Sequence, residues 1–198
     1  MNSFFKPSRL TALVLSCTTL LAQAHTGHGT SSLMEGLAHP LGADHLLAMV
    51  AVGIWSVSAL PVAKAWQGPA TFMLTLMLSA LVGTLGGAAP YLEHAISLSV
   101  VLFGVMLILA GKSTAPRMGL GFIALAASLH GLAHGAEAPV SGFAGYAVGF
   151  LLSTAALHFS GVTIGLSIKR WLAQRSKLAL GGLGVALSAS GVYLFSQL

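Results

Sequence analysis

The chain has 198 residues, of which 56% are hydrophobic and only 7% are charged. An average soluble domain carries about 25% charged residues, so these charges are too few to cover a water-exposed surface. This composition excludes a soluble enzyme, and it excludes a disordered chain because such chains are poor in apolar residues. It indicates a polytopic helical membrane protein, for which we expect no catalytic activity.

The net charge of +5 does not indicate a nucleic-acid partner. The nine Lys and Arg residues are dispersed along the chain and form no basic face. The single cysteine, Cys17, excludes a disulfide or a thiolate metal site within one chain.

Residues 1–24 have the pattern of a secretory signal peptide. Lys6 and Arg9 precede an apolar run at 10–21, which is too short to span a bilayer, and Ala22-Gln23-Ala24 provides a cleavage site. Cleavage would leave residues 25–32 as an exported tail that carries His25 and His28. The alternative is that the segment stays attached as an anchor helix.

Six apolar stretches fill the remainder, 33–198, and each is long enough to span a membrane as a helix. Short connections that contain Pro, Gly or charged residues separate them, and none could hold a soluble domain. The sequence therefore predicts an all-α integral membrane protein with six transmembrane helices after a cleaved signal peptide. The predicted stretches are 33–60, 70–89, 92–111, 118–136, 140–168 and 178–198.

The basic residues predict the orientation of these helices. A cleaved signal peptide leaves the new N-terminus outside, so the first, third and fifth connections would face the cytoplasm. Basic residues concentrate in cytoplasmic loops, and these three connections contain every basic residue after position 24. We therefore expect a protein of the bacterial inner membrane with both termini in the periplasm. The residues are Lys64, Lys112, Arg117, Lys169, Arg170, Arg175 and Lys177.

The first motif is the run 39–45, His-Pro-Leu-Gly-Ala-Asp-His, at the start of the first apolar stretch. Ionisable residues inside a membrane are costly and indicate a functional site. Pro40 removes a backbone donor and Gly42 loosens a helix, so the helix either begins at Pro40 or is broken there. We expect His39, Asp44 and His45 to bind a metal ion. A structural role, with Asp44 paired to a histidine, is the alternative.

The second motif is the run 130–137, His-Gly-Leu-Ala-His-Gly-Ala-Glu. His130 and His134 are four residues apart and share a helical face, with Glu137 on the same side. Two imidazoles at this spacing can bind one metal ion. Each histidine precedes a glycine, which would allow close approach of a neighbouring helix. Histidines that only hydrogen-bond inside the bundle are the alternative.

Three further histidines are candidate ligands. His158 lies deep in the fifth stretch, where it would serve as a ligand or relay rather than only as a packing residue. His25 and His28 could capture a metal ion on the exported tail. Because the predicted outer side carries imidazoles and carboxylates but no Lys or Arg, it suits a divalent cation.

With these motifs the chain resembles the HupE/UreJ family of bacterial nickel/cobalt permeases. The resemblance covers the signal peptide, the six stretches and the order of the two motifs. It implies that both motifs bind metal and that the substrate is Ni²⁺ or Co²⁺, with no bound cofactor. It also implies metalloenzyme maturation proteins, for hydrogenase or urease, as candidate partners.

The sequence thus predicts a secondary permease that imports Ni²⁺ or Co²⁺, with ligands in the first and fourth helices. One alternative is a membrane protein that holds metal for hydrogenase or urease maturation. Another is a haem-binding membrane subunit in which histidines are axial ligands.

Overall fold

The computed structural model describes residues 32–86, 91–110, 116–139 and 141–198. The predicted signal peptide and almost all of the predicted tail, including His25 and His28, lie outside these residues. Within them the chain is helical, which confirms the all-α prediction.

Seven α-helices follow one another along the described chain, and three short 3-10 turns lie between some of them at His39–Leu41, Val62–Lys64 and Ala173–Arg175. Most boundaries lie within a few residues of the predicted ones. Prolines occur in the first turns of two helices, where the missing N–H has no helical acceptor in any case. The helices are α1 (Ser32–Ala38), α2 (Ala43–Ala59), α3 (Gln67–Gly86), α4 (Leu92–Leu109), α5 (Pro116–Glu137), α6 (Phe143–Trp171) and α7 (Ser176–Phe195).

Five of these helices, α3 to α7, are long and apolar enough to cross a membrane. The shorter helices α1 and α2 reach that length only as a pair, and they meet at an angle of 71°. The described chain therefore has five candidate spans, or six if the bent pair is counted as one. Together with the exposed apolar side chains on the outside of the bundle, such as Leu78, Leu125 and Phe159, these helices identify a membrane protein.

Small residues determine which helices pack closely. A Cβ atom added at Gly131 or Gly135 of α5 would overlap the α3 backbone, as the sequence predicts for the glycines after the two histidines. A Cβ atom at Gly53 of α2 would overlap the carbonyl oxygen of His158 in α6. The helices therefore form three close pairs: α3 with α5, α4 with α7, and α6 with the bent pair α1–α2.

Candidate metal centre

Three histidines from two motifs meet in the structure. Each of His39, His45 and His134 offers a ring nitrogen, and the three nitrogens lie within 4.8 Å of one another. His45 and His134 are buried, and His39 is partly buried. The sequence predicts all three as ligands, and the fold brings them together although 89 residues separate His45 from His134 along the chain.

The break between α1 and α2 places two of these rings against the third. His39 begins the 3-10 turn, which is followed by Gly42, and His45 lies in the first turn of α2. Their ring centroids lie 4.7 Å and 4.5 Å from that of His134. Of the two predictions for Pro40, a helix that begins there and a helix that is broken there, the structure shows the broken helix.

The nitrogen separations in this cluster are short. His39 Nε2 lies 3.0 Å from His134 Nδ1, and His45 Nε2 lies 2.6 Å from His134 Nε2. A transition metal binds imidazole nitrogen at about 2.0–2.1 Å, so two nitrogens on one ion are about 3 Å apart. Small ring movements would thus allow neighbouring rings to share one cation.

Asp44 acts on the cluster through His45. Its Oδ1 atom accepts hydrogen bonds from the backbone N–H of His45 at 2.8 Å and from the ring Nδ1–H at 2.6 Å. Asp44, which the sequence predicts as a ligand, is thus bonded to a second predicted ligand, and it is not one of the three residues of the histidine group. A carboxylate in this position fixes the ring orientation and makes the opposite nitrogen a stronger donor to a metal.

His130 and His158 share a second arrangement. The Nδ1–H of His130 donates to the carbonyl oxygen of Ala126 at 2.9 Å, and that of His158 donates to Thr154 at 2.8 Å. In a neutral ring this hydrogen bond leaves Nε2 as an electron-pair donor. Both Nε2 atoms are buried and have no hydrogen-bond partner among the residues that the structure describes.

Neighbouring imidazole rings form a series from His39 to His130, and Phe72 links this series to His158. The ring of His130 lies 5.1 Å from that of His45. The Phe72 ring contacts both His130 and His158, with ring centroids 5.4 Å and 4.9 Å apart, respectively. The series therefore leads from the α1–α2 break, across α5, to the middle of α6.

The remaining polar candidates lie at the edge of this series. Glu137 is exposed at the end of α5 and does not belong to the three-histidine group. Glu137 and Glu35 both lie close enough to Tyr146 to act on its hydroxyl group electrostatically, and the Tyr146 ring contacts His39 at 5.8 Å. Both carboxylates are thus near the cluster rather than within it.

Sequence analysis does not identify the aromatic residues of the site. Phe150 contacts His134 at 4.7 Å and His39 at 5.8 Å, and Phe72 links His130 to His158. A phenylalanine in an apolar stretch resembles any other core residue, so its position could be found only from the helix packing.

Comparison with known proteins agrees with the resemblance stated above. The family model described as HupE / UreJ protein matches residues 13–194. The protein named Protein HupE, from Rhizobium leguminosarum bv. viciae, is 33% identical over 184 residues, which are 92% of this chain and 95% of that relative. No solved structure matches the chain.

Proposed function

The chain belongs to the HupE/UreJ family, and on that premise we propose that it is a permease that imports Ni²⁺ or Co²⁺. The periplasm would supply the ion and the cytoplasm would receive it. His39, His45 and His134 form the proposed outer site, with Asp44 supporting His45. His130 and His158 are the next ligands along the path.

The series of buried and partly buried imidazoles carries this proposal. A divalent cation in the low-dielectric interior of a bundle needs ligands that replace its hydration shell. Neighbouring histidine rings in the series, from His39 to His130, have centroids 4.5 to 5.1 Å apart. Steps of this length allow a ligand to be gained before the previous one is released. Most buried polar groups are hydrogen-bonded, whereas the Nε2 atoms of His130 and His158 have no hydrogen-bond partner among the described residues.

The choice of metal depends on donor chemistry and on the family resemblance. Imidazole suits Ni, Zn, Cu and Fe, whereas Mg²⁺ and Ca²⁺ prefer oxygen ligands. The chain has one cysteine, at position 17, so a site made of several thiolates within one chain is excluded. Nickel and cobalt are the substrates that the resemblance implies.

Two outer features complete the proposal. Glu35 and Glu137 would attract cations to the cluster, and His25 and His28 would capture metal when it is scarce. We expect replacement of both tail histidines by alanine to reduce uptake at low nickel only. Unchanged uptake at every nickel concentration would contradict a capture role.

The alternative, a protein that holds metal for enzyme maturation, is favoured by one observation. The Phe72 ring occupies the step between His130 and His158, so the series is closed at that point. A holding protein would bind metal at the three histidines without passing it on.

Uptake of radioactive nickel by cells that express the chain separates these functions. We expect accumulation above that of cells without the protein, and its loss in His45→Ala when uptake is normalised to membrane protein. His94→Ala is the matched control, because His94 lies on α4 and packs against Tyr91 and Phe195. Purified protein that binds nickel while cells accumulate none would favour the holding function.

A further inference from the structure

Two cavities follow each other along α3, and Phe72, which lines neither of them, contacts the rings of His130 and His158. The outer cavity, about 260 Å³, is lined by Leu76, Met77 and His134, among others. The inner cavity, about 400 Å³, is lined by Pro69, Ala70 and Met73 of the same helix. Phe72 itself is fully buried.

The inner cavity has one histidine in its wall. His158 lines it, whereas His134 lines the outer cavity. The inner cavity also reaches Val62 and Trp66, in the connection between α2 and α3. In the proposed orientation this connection faces the cytoplasm, so the inner cavity lies on the exit side of the imidazole series.

The two histidines that contact Phe72 hold their rings in the same way. Each anchors Nδ1–H on a carbonyl oxygen of its own helix, and each leaves a buried Nε2 without a hydrogen-bond partner among the described residues. A buried acceptor without a hydrogen bond destabilises a fold, so two of them beside one apolar ring need a compensating role.

We propose that Phe72 is the gate between the outer metal site and an inner vestibule that contains His158. This inference rests on the proposed function and adds the residue that controls passage. In the closed state the Phe72 ring contacts the rings of both His130 and His158. When the ring turns aside, a divalent cation exchanges the first nitrogen for the second, and it then enters the inner cavity.

A phenyl ring is suited to this role. It excludes water and hydrated ions while it fills the gap, yet it can be displaced by rotation about two side-chain dihedral angles. Its face also attracts cations, so a passing ion would not meet a purely repulsive surface. The gate therefore explains how one buried series can be closed in this structure and still conduct.

A test of the gate need not depend on nickel transport. In a Cys17→Ser background, Ala65→Cys places the chain's single thiol at a buried position in the wall of the inner cavity. Silver ions are added to one side of sealed membrane vesicles, and the thiols that remain are counted with a maleimide after solubilisation. Silver ions are small and do not cross lipid, so the rate at which they react with the thiol reports access from the chosen side.

We expect rapid reaction from the cytoplasmic side and slow reaction from the periplasmic side. Adding Phe72→Ala should raise the periplasmic rate about tenfold, which corresponds to a barrier lowered by about 1.4 kcal/mol. Phe103→Ala is the matched control, because Phe103 is an equally buried phenylalanine on α4 that belongs to the hydrophobic core. It should leave the periplasmic rate unchanged.

Other results would overturn the gate. Equal acceleration by Phe103→Ala and Phe72→Ala would show general loosening of the bundle. A thiol that reacts from neither side, or a periplasmic rate that Phe72→Ala does not change, would show that Phe72 does not close the path.

The substitution Phe72→Trp, which enlarges the side chain, tests whether the gate controls transport. We expect it to slow nickel uptake per molecule while purified protein binds nickel as tightly as the wild type. Absence of uptake by the wild type would contradict the permease, whereas normal uptake by Phe72→Trp would contradict the gate alone.

Discussion

Two regions of the bundle are packed by similar means but differ in their buried polar groups. One contains the helices that carry the histidine series, and the other is the α4–α7 pair. In both regions glycines allow close contact: Gly131 of α5 lies against Ser79 of α3, and Gly104 of α4 lies against Ser188 of α7. In the pair, Ser99 donates to the carbonyl oxygen of Ile96 and Ser188 to that of Val101. In the histidine region, the Nε2 atoms of His130 and His158 have no hydrogen-bond partner among the residues that the structure describes.

This difference separates a structural interface from the proposed functional one. Serine hydroxyl groups that bond backbone carbonyls impose little cost in a bundle, whereas unpaired buried nitrogens destabilise it. His94 of α4 also has a buried unpaired nitrogen, but it lies at the end of its helix between Tyr91 and Phe195. A continuous series of available nitrogens is therefore a property of the α1–α2, α5 and α6 region.

The largest effect is expected at His134, which bonds both His39 and His45. His134→Ala should abolish nickel uptake while the protein still reaches the membrane, because the other two rings lose their shared neighbour. Double variants with His45→Ala should be no worse than either single variant, since residues that act as a unit are not additive. Additive losses of uptake, normalised to membrane protein, would indicate separate sites.

Asp44→Asn should have the next largest effect. The amide keeps the shape of the side chain but removes the charge that supports His45, so metal affinity should fall by about 10–100-fold. Uptake should then fail at scarce nickel and recover in part at high nickel. Equilibrium dialysis of purified protein checks this prediction, and an unchanged affinity would contradict the supporting role.

His158→Ala tests whether the histidines of the series have different roles in transport. It removes a ligand beyond Phe72 and leaves the three-histidine cluster untouched, so we expect slower uptake with unchanged nickel affinity. The measurement compares uptake per molecule with nickel binding by purified protein. A loss of affinity as large as that of His134→Ala would place both histidines in one site.

The smallest effect on uptake per molecule is expected at the α4–α7 interface. Gly104→Ala overfills a close contact, which destabilises a packed interior by about 1–3 kcal/mol. It should lower membrane abundance and thermal stability but preserve uptake per molecule. Gly131→Ala overfills the α3–α5 contact beside His130 and should reduce uptake per molecule as well. Equal behaviour of the two variants would remove the distinction between the regions.

Much of this arrangement is predictable from the sequence. Apolar stretches bounded by Pro, Gly and charge predict the helices, because a membrane-spanning chain must satisfy its backbone hydrogen bonds within each segment. The cost of ionisable residues inside a membrane makes His39, Asp44, His45, His130, His134 and His158 visible as candidates without any structure. The two motifs also indicate the family.

Tertiary packing alone decided how these candidates are combined. Helical spacing relates His130 to His134, but it does not predict that His134 meets His39 and His45 or that Asp44 bonds His45 instead of joining the cluster. Nor does it distinguish Phe72 from any other phenylalanine in an apolar stretch. The reason is physical: a hydrophobicity pattern specifies which residues lie inside a membrane, whereas contacts between helices depend on their crossing points, which the small residues at each interface determine.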